Sequence, residues 1–373
     1  MIYLDYAANT PVDKKVLDKY NKVTLKLFGN PNSTHNAGKV AKKEIDKASE
    51  EIAGYFNASK ESVIYTSGSS ESNNMIIKGI ADRYADKGKH IIISSVEHSS
   101  IIAPCNYLAS KGYDITLIPL KNDGKVDLDV LKKSIRKDTI LISICAVDSE
   151  LGTIQPIEEI AKIAKEKEVI FHTDATQAIG KVNIDYSNVD FITFAPHKFF
   201  GLNGMGVLIN RNDIKFTPLI HGGKSTTVFR SGTPVPANSA SISLALKLVL
   251  KDFDKNNKHL KELNKYLIDN LKKLDYIHIN SPKDSIPSTV NFSLTCINSD
   301  IVVKKLIKKD ICVSKQSACS FGSAPSKSVL AITNDENLAR NSIRVSMSKL
   351  TTKKELDTFI KELKSICEEL KWK

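Results

Sequence analysis

The stretch EVIFHTDATQAIGKVNIDYSNVDFITFAPHKFFG, residues 168–201, decides the fold. It contains two apolar, β-branched runs, 168–173 and 190–195, and polar residues follow each run at once. Such runs predict strands that are buried on both faces, as in a parallel sheet. Neighbouring parallel strands end at the same edge of the sheet, where open α/β proteins bind their ligands. The stretch therefore predicts both a fold class and the place of a site.

The same alternation of apolar runs and helical patterns extends outward from this stretch. Further strands are predicted at 90–95, 115–120, 139–147 and 205–210, and helices at 72–87 and 156–167. Repeated strand–helix alternation indicates a doubly wound, mainly parallel sheet with helices on its faces.

The pattern changes after residue 240. A long amphipathic helix is predicted over 239–275, followed by short strands and a last helix over 352–370. We expect a large domain over 13–255, and a smaller α+β domain formed by 1–12 and 256–373.

Composition excludes several protein classes. Among 373 residues there is no apolar run long enough to span a membrane, and the N-terminus does not resemble a signal peptide. The six cysteines form no CxxC pair, which argues against a metal site or a disulfide framework and for the reducing cytoplasm. The net charge of +12 comes from lysines spread over helix faces, so we expect no direct nucleic-acid binding and no membrane contact.

Three features of the predicted sheet edge suggest one cofactor. Lys198 follows an apolar strand, where desolvation makes an amine nucleophilic enough to form a Schiff base. Asp174 ends the preceding strand, and the Ser-rich segment 66–72 leads into a helix whose N-terminus suits a phosphate. A lysine, a carboxylate and a phosphate cradle together fit pyridoxal 5′-phosphate (PLP).

Motifs along the whole chain carry a family resemblance. They are YLDYAANTP (3–11), FGNPNSTH (28–35), YTSGSSESNN (65–74), VEHSS (96–100), FHTDATQAIGK (171–181), HKFFG (197–201), HGGK (221–224), RSGT (230–233), QSACS (316–320) and SIRVS (342–346). The chain resembles the NifS/IscS-like cysteine desulfurases of the class V aminotransferases. That resemblance implies the PLP-dependent aminotransferase type I fold.

The resemblance also implies a role for each matching residue. Lys198 would bind PLP covalently, Asp174 would pair with its pyridine nitrogen, Gln177 would contact its phenolic oxygen, and His98 would stack on the ring and move protons. Ser69, Ser70 and His197 would bind the phosphate, Thr233 would do so from the other subunit of a homodimer, and Ser149 would face the cofactor. Asn30 and Arg344 would hold the substrate carboxylate. Cys319 would take the sulfur as a persulfide.

Two of these assignments also rest on the residues themselves. Cys319 lies in a Ser/Gly/Ala-rich stretch, a composition typical of a mobile, exposed loop, whereas the other five cysteines are expected to be small buried hydrophobes. Arg344 follows an apolar residue in a short strand, so its guanidinium points to a carboxylate grip or, alternatively, a structural ion pair.

The sequence departs from the family pattern at three places. In AVDSELG (146–152) the usual pair of asparagines before the glutamate is replaced, and Ser149 stands where an asparagine normally faces the cofactor. Ala195 replaces a serine that supplies a phosphate ligand, and 224–229 reads KSTTVF where the family usually carries polar and acidic residues. These departures leave their effect on PLP affinity and on substrate choice open.

The resemblance implies an enzyme that removes sulfur from L-cysteine, releases L-alanine and passes the sulfur to an acceptor protein for iron–sulfur cluster assembly or for tRNA or DNA thiolation. Two alternatives stay open: a selenocysteine lyase or other PLP-dependent β-lyase, and a sulfur-relay paralogue with weak turnover.

Overall fold

A computed structural model describes residues 1–315 and 324–371. Twelve strands occur in these ranges: β1 (Ile2–Tyr3), β2 (Val63–Thr66), β3 (His90–Ser94), β4 (Asp114–Ile118), β5 (Thr139–Ser143), β6 (Ile170–Asp174), β7 (Phe191–Phe194), β8 (Gly206–Asn210), β9 (Ile277–Ile279), β10 (Thr289–Leu294), β11 (Ile311–Cys312) and β12 (Ser342–Ser346).

Twelve α-helices occur in the same ranges: α1 (Lys14–Lys26), α2 (Asn36–Gly54), α3 (Ser69–Arg83), α4 (Ser99–Ala109), α5 (Leu128–Ser134), α6 (Ile157–Glu166), α7 (Pro236–Lys251), α8 (Phe253–Leu271), α9 (Ser299–Lys308), α10 (Lys327–Thr333), α11 (Glu336–Arg340) and α12 (Lys353–Lys371). None of them combines the length and the apolarity that crossing a membrane requires.

The central sheet has seven strands in the order β2-β8-β7-β6-β5-β3-β4. Only β8 runs against its neighbours, so the other six strands are parallel to one another. The prediction of a mainly parallel sheet is therefore confirmed. Strands β3, β5, β7 and β8 are buried at every position, because helices cover both faces of the sheet.

A second hydrophobic core lies around the antiparallel sheet β9-β10-β12. Apolar residues of α8, α9 and α12 pack against this sheet. The N-terminal strand β1 pairs in parallel with β11, so Ile2 lies opposite Ile311, and Leu4 is part of the second core. This pairing agrees with assigning 1–12 to the smaller domain, although the domain bounds themselves stay a prediction.

The prediction of a single helix over 239–275 is wrong, because the chain forms two helices there, α7 and α8. The break lies at Asp252, whose backbone (φ −98°, ψ 13°) leaves the helical region. Apolar residues of α7 pack into the core of the large sheet, whereas those of α8 pack into the second core. The helix ends where the chain passes from one core to the other.

Candidate active site

A cavity of about 250 Å³ lies at the edge of the central sheet where the parallel strands end. It brings together nine of the residues that the sequence predicts for the site: Ser69, Ser70, His98, Ser149, Asp174, Gln177, His197, Lys198 and Arg344. Most of them stand just after strands or at the N-terminus of a helix, which explains how residues from many parts of the chain reach one place.

Asp174 is the last residue of β6, and its carboxylate is held on both oxygens. The backbone N–H of Thr176 donates to Oδ1 at 2.9 Å, and the Nδ2 amide of Asn73 donates to Oδ2 at 2.8 Å. Asn73 is completely buried in α3, and it also donates to Ser100 Oγ at 2.9 Å. These two donated hydrogen bonds fix the orientation of the carboxylate at the cavity.

His98 caps α4 and faces the same cavity. Its Nδ1 accepts a hydrogen bond from the backbone N–H of Ser100 at 3.2 Å and lies 2.8 Å from Ser100 Oγ. Burial lowers the pKa of His98, and the charge of Lys198 lowers it further while Asp174 opposes the shift. The imidazole is therefore neutral at pH 7, and because Nδ1 is an acceptor, its proton lies on Nε2.

Lys198 lies in the 3-10 turn Pro196–Lys198 that follows β7. Its ammonium group donates to the backbone carbonyls of Ala7 at 2.9 Å and Ala8 at 2.6 Å. The N-terminal segment stays on this turn because Thr10 Oγ1 donates to the carbonyl of His197 at 2.8 Å. A tertiary contact between residues 7–10 and the turn thus holds the amine at the cavity.

The N-terminus of α3 forms one wall of the cavity. The helix is capped by Gly68 without a side-chain hydrogen bond, and Ser69 and Ser70 of its first turn line the cavity. The neighbouring strand β8 approaches very closely here: a Cβ on Gly206 would lie 2.4 Å from the backbone carbon of Gly68. Glycine at 206 is needed for the turn to sit at this position.

His197 contributes a second group to this wall. Burial, together with the positive charges of Lys198 and Lys181, lowers the pKa of His197 to about 4. A neutral imidazole still has one N–H to donate, so it suits an anion without adding a charge.

Arg344 also lines the cavity, and its side chain is 1% exposed. Its Nη2 makes an ion pair with Asp5 Oδ1 at 2.9 Å, and its Nη1 donates to the carbonyl of Ser149 at 2.8 Å. The Nε atom is buried and has no hydrogen-bond partner among residues 1–315 and 324–371. The guanidinium thus makes the structural ion pair that the sequence left open, and Arg344 is also one of the residues that line the cavity.

The departure at residues 148–149 has a structural explanation. Asp148 is buried, and its carboxylate accepts hydrogen bonds from the backbone N–H groups of Glu150 at 3.0 Å and Leu151 at 2.5 Å and from Ser328 Oγ at 2.9 Å. The aspartate therefore closes the turn that presents Ser149 to the cavity.

Two predicted residues lie away from this cavity. Asn30 is exposed, and its side chain accepts from the backbone N–H of Asn32 at 2.9 Å. Thr233 is exposed and lines a separate cavity of about 200 Å³ together with Arg230. The within-chain contacts therefore do not place these two residues at the site, and their roles stay predictions. Cys319 lies outside the described residues.

The expectation that the other five cysteines are buried is wrong for Cys296, which is exposed, and Cys312 is half-buried. Cys145 is buried and lines the active-site cavity, and burial beside Glu97 raises the pKa of its thiol well above the usual value. A protonated thiol is a poor nucleophile, so Cys145 does not compete for the role predicted for Cys319.

Sequence reasoning missed Asn73, Asp5 and Lys181. Asn73 and Asp5 stand inside the motifs YTSGSSESNN and YLDYAANTP, but they contact Asp174 and Arg344, which are 101 and 339 residues away. Their place inside these motifs was the only indication that Asn73 and Asp5 belong to the site. The sequence does not indicate which residue each of them contacts.

The groups that line this cavity fit PLP. An amine, a carboxylate held by two donors, and a helix N-terminus beside a neutral histidine line one cavity, as the cofactor's aldehyde, pyridine nitrogen and phosphate require. The described residues contain no group of three or more His, Cys, Asp or Glu side chains that could hold a metal ion.

Comparison with known proteins agrees with this arrangement. Residues 2–359 match the family model of class-V aminotransferases. The chain is 41% identical to the cysteine desulfurase IscS of Dictyoglomus turgidum over 99% of its own length and 95% of the relative's. A solved NifS-like protein has a TM-score of 0.92 at 32% identity, covering 99% of this chain and 100% of that chain.

A second solved structure, SspA in complex with cysteine, has a TM-score of 0.83 at 31% identity, covering 94% of this chain and 100% of that chain. The full-length match in sequence, the match in fold and the convergence of the motif residues on one cavity confirm the resemblance. This chain belongs to the class-V aminotransferase family and, within it, to the cysteine desulfurases.

Proposed function

We propose that this protein is a PLP-dependent cysteine desulfurase that converts L-cysteine to L-alanine and takes the sulfur as a persulfide on Cys319. In this reaction the Cβ–S bond of the substrate breaks and an S–S bond forms on the enzyme. The electron pair of the broken bond stays with the substrate carbon, which takes up a proton. The observation that carries the proposal is the single cavity lined by Lys198, Asp174, the N-terminus of α3 and Arg344.

The residues around the cavity divide the binding of PLP among them. Lys198 would hold it covalently, Asp174 would face its pyridine nitrogen, and Gln177 would donate to its phenolic oxygen. Ser69, Ser70 and His197 would bind its phosphate at the helix N-terminus, where the backbone N–H groups and the helix dipole favour an anion. When bound, PLP supplies an electron sink for the bonds at the substrate's α-carbon.

Proton transfer falls to two groups in the cavity. The Lys198 amine lines the cavity and would serve as the base that takes the proton from the substrate's α-carbon. His98 presents an Nε2–H to the cavity because its Nδ1 is held by Ser100, so it donates rather than accepts there. The two groups therefore have complementary roles, one taking a proton and the other giving one.

Arg344 is the group in the described ranges best suited to the substrate carboxylate. It lines the cavity, and a guanidinium binds a carboxylate through two parallel N–H donors. Asp5 keeps the cation paired before substrate arrives. Asn30 remains a proposed second contact.

The chain on either side of 316–323 is hydrogen-bonded to residues that contact or flank the cavity-lining residues Arg344 and Ser149. Before it, Ser314 donates its hydroxyl to Asp5 Oδ2 at 2.9 Å. After it, Ser326 donates to Glu150 Oε2 at 2.5 Å and Ser328 donates to Asp148 Oδ2 at 2.9 Å. These anchors support the assignment of the sulfur-accepting thiol to Cys319, since both flanks of its segment lie next to Arg344 and Ser149.

The finer features belong to the same proposal. Exposed Thr233 would complete the phosphate site of a partner subunit, so the working unit would be a homodimer. The sulfur would pass to an acceptor protein for iron–sulfur cluster assembly or for tRNA or DNA thiolation. Persulfide chemistry needs reduced thiols, and none of the cysteines in residues 1–315 and 324–371 forms a disulfide with another, so we propose the cytoplasm as its compartment.

Alanine release from L-cysteine by the purified protein tests the activity. Cys319→Ala should keep its PLP and its cysteine-induced spectral change but release almost no alanine, because the sulfur has no acceptor thiol. The matched control is Cys296→Ala, which replaces an exposed cysteine and should leave turnover intact. Wild-type turnover in Cys319→Ala would refute the persulfide role and favour a selenocysteine lyase or another β-lyase, whereas a wild type without turnover would favour the sulfur-relay paralogue.

Borohydride reduction tests the cofactor assignment separately. The purified protein should be yellow, and peptide mapping after reduction should find pyridoxyl on Lys198. Label on Lys181 or on another lysine would contradict the assignment. A protein that takes up no PLP at all would contradict the whole proposal.

A further inference from the structure

Lys181 is a partly buried lysine beside the active site to which the family resemblance assigns no role. It lies four residues after Gln177, in the turns that follow β6, and its ammonium nitrogen is 2.6 Å from Gln177 Oε1. It does not line the active-site cavity, but together with Lys198 it lines a smaller cavity next to it. Any effect on the site must therefore pass through Gln177 or through charge.

The Gln177 side chain is held from both ends. Its Oε1 accepts from Lys181, and its Nε2 donates to the backbone carbonyl of Ala7 at 2.9 Å. An ammonium group can only donate and a carbonyl can only accept, so both neighbours select the same orientation of the amide. The reversed amide would place two donors against each other at one end and two acceptors at the other.

This orientation decides what Gln177 offers to the cavity. The side chain is 9% exposed and forms part of the cavity lining. Nε2 has two N–H groups, of which Ala7 takes one. The second is a donor, which suits an anionic oxygen and not a further donor.

Lys181 keeps this contact in either protonation state. Burial, with the charges of Lys198 and Arg344, lowers the pKa of Lys181 to about 7. The ammonium and the neutral amine both carry N–H groups, so both can donate to Gln177 Oε1.

We propose that Lys181 is a positioning residue that fixes the Gln177 amide so that its N–H faces the phenolic oxygen of bound PLP. This inference rests on the proposed function. Lys181 acts through Gln177 and does not touch the cofactor.

The consequence is measurable in the absorbance of the bound cofactor. A hydrogen bond donated to the phenolic oxygen stabilises its anionic form and disfavours protonation of the PLP–lysine linkage. Loss of the donor should therefore raise the pH at which the yellow chromophore changes colour. A hydrogen bond to a charged group typically contributes about 1.5–3 kcal/mol, which corresponds to a shift on the order of one pH unit or more.

The experiment is a pH titration of absorbance with PLP-loaded wild type, Lys181→Met, Lys181→Arg, Gln177→Leu and the Lys181→Met/Gln177→Leu double variant. Lys181→Met should raise the midpoint by about one pH unit, and Lys181→Arg, which still donates, should stay near wild type. In the Gln177→Leu background the shift caused by Lys181→Met should fall to less than half, because the side chain through which Lys181 acts is gone. Exposed Lys162→Met, on α6, is the matched control and should not move the midpoint.

An unchanged midpoint in a PLP-loaded Lys181→Met protein would overturn the inference and leave the proposed function intact. An equal shift with and without Gln177 would also overturn it, because Lys181 would then act by charge alone. If Lys181→Met does not fold, Lys181→Gln is measured instead, since it keeps a polar group but is too short to hold the amide. A wild type that binds no PLP would overturn both the inference and the proposed function.

Discussion

Glu97, which stands directly before His98, is an acid that the fold keeps protonated. Its side chain is buried, and Oε1 accepts hydrogen bonds from Ser94 Oγ at 2.6 Å and from the backbone N–H of Cys145 at 2.9 Å. Burial raises the pKa of Glu97 to about 8, and the nearby charge of Asp174 adds to the shift. We predict that Glu97→Gln changes the pH dependence of stability in a defined way, because glutamine keeps the accepting carbonyl and cannot ionise.

The sign and the size follow from the two pKa values. An unfolded glutamate has a pKa of about 4.3. The folded value is higher, so the stability contributed by the neutral acid is fully present below about pH 4.3 and is lost as pH rises towards 8. Linkage at about 1.4 kcal/mol per pH unit makes wild type lose roughly 2.5 kcal/mol relative to Glu97→Gln between pH 5.5 and 7.5.

Urea unfolding followed by circular dichroism at pH 5.5, 6.5 and 7.5 measures this difference at a fixed protein concentration. Groups common to both proteins cancel in the comparison. Glu166→Gln, an exposed substitution at the end of α6, is the matched control and should give a flat difference because its carboxyl contacts water in both states. A flat difference for Glu97→Gln as well would refute the reasoning, since it would mean that Glu97 is already ionised in the folded protein.

Two further perturbations test the walls of the cavity. Asp5→Asn should lower the free energy of unfolding by about 3 kcal/mol, because it leaves the buried Arg344 cation without its carboxylate partner. A loss below about 1 kcal/mol, measured by urea unfolding, would contradict this, because it would show that the other contacts of Arg344 stabilise the cation without Asp5. Gly206→Ala should weaken PLP retention in dialysis and cost about 1–3 kcal/mol of stability, because its Cβ would overlap the backbone of Gly68. Gly54→Ala, in open space at the end of α2, is the control and should be harmless; equal behaviour of the two glycine variants would contradict the close-approach argument.

The sheet and the site edge were predictable because they follow from local patterns. A buried parallel strand requires an apolar run, and its carboxyl end must be followed by whatever the site uses, so Asp174 and Lys198 are both visible from their position after a strand. The short strand β2 was not predicted, because its four residues, VIYT, merge into the Ser-rich segment that follows. The break at Asp252 was missed for a different reason: helical periodicity continues across it, and only the two separate cores require the chain to turn.

The contacts that orient the site could not be predicted from local patterns. Asn73 reads as an ordinary polar residue of a helix, yet it is completely buried and connects Asp174 to Ser100, which in turn holds His98. A pattern reports which face of a helix is apolar, but it does not report which buried polar residue meets which partner across the sheet. Such pairs depend on the packing of distant segments, and the cost of leaving a buried polar group unpaired makes the pairing specific.

At 148–149, one of the departures from the family pattern, the contact with Arg344 is made by the backbone of Ser149 and not by its side chain. Arg344 Nη1 donates to the backbone carbonyl of Ser149, an acceptor that any residue at this position supplies. Asp148 holds this turn in place, because its carboxylate accepts hydrogen bonds from the backbone N–H groups of Glu150 and Leu151 and from Ser328 Oγ. The position of the guanidinium therefore does not depend on which side chain stands at 149. That side chain can differ without moving Arg344. This division explains how the chain keeps Lys198, Asp174 and Arg344 in one cavity while the side chain that lines it at 149 differs from the family pattern.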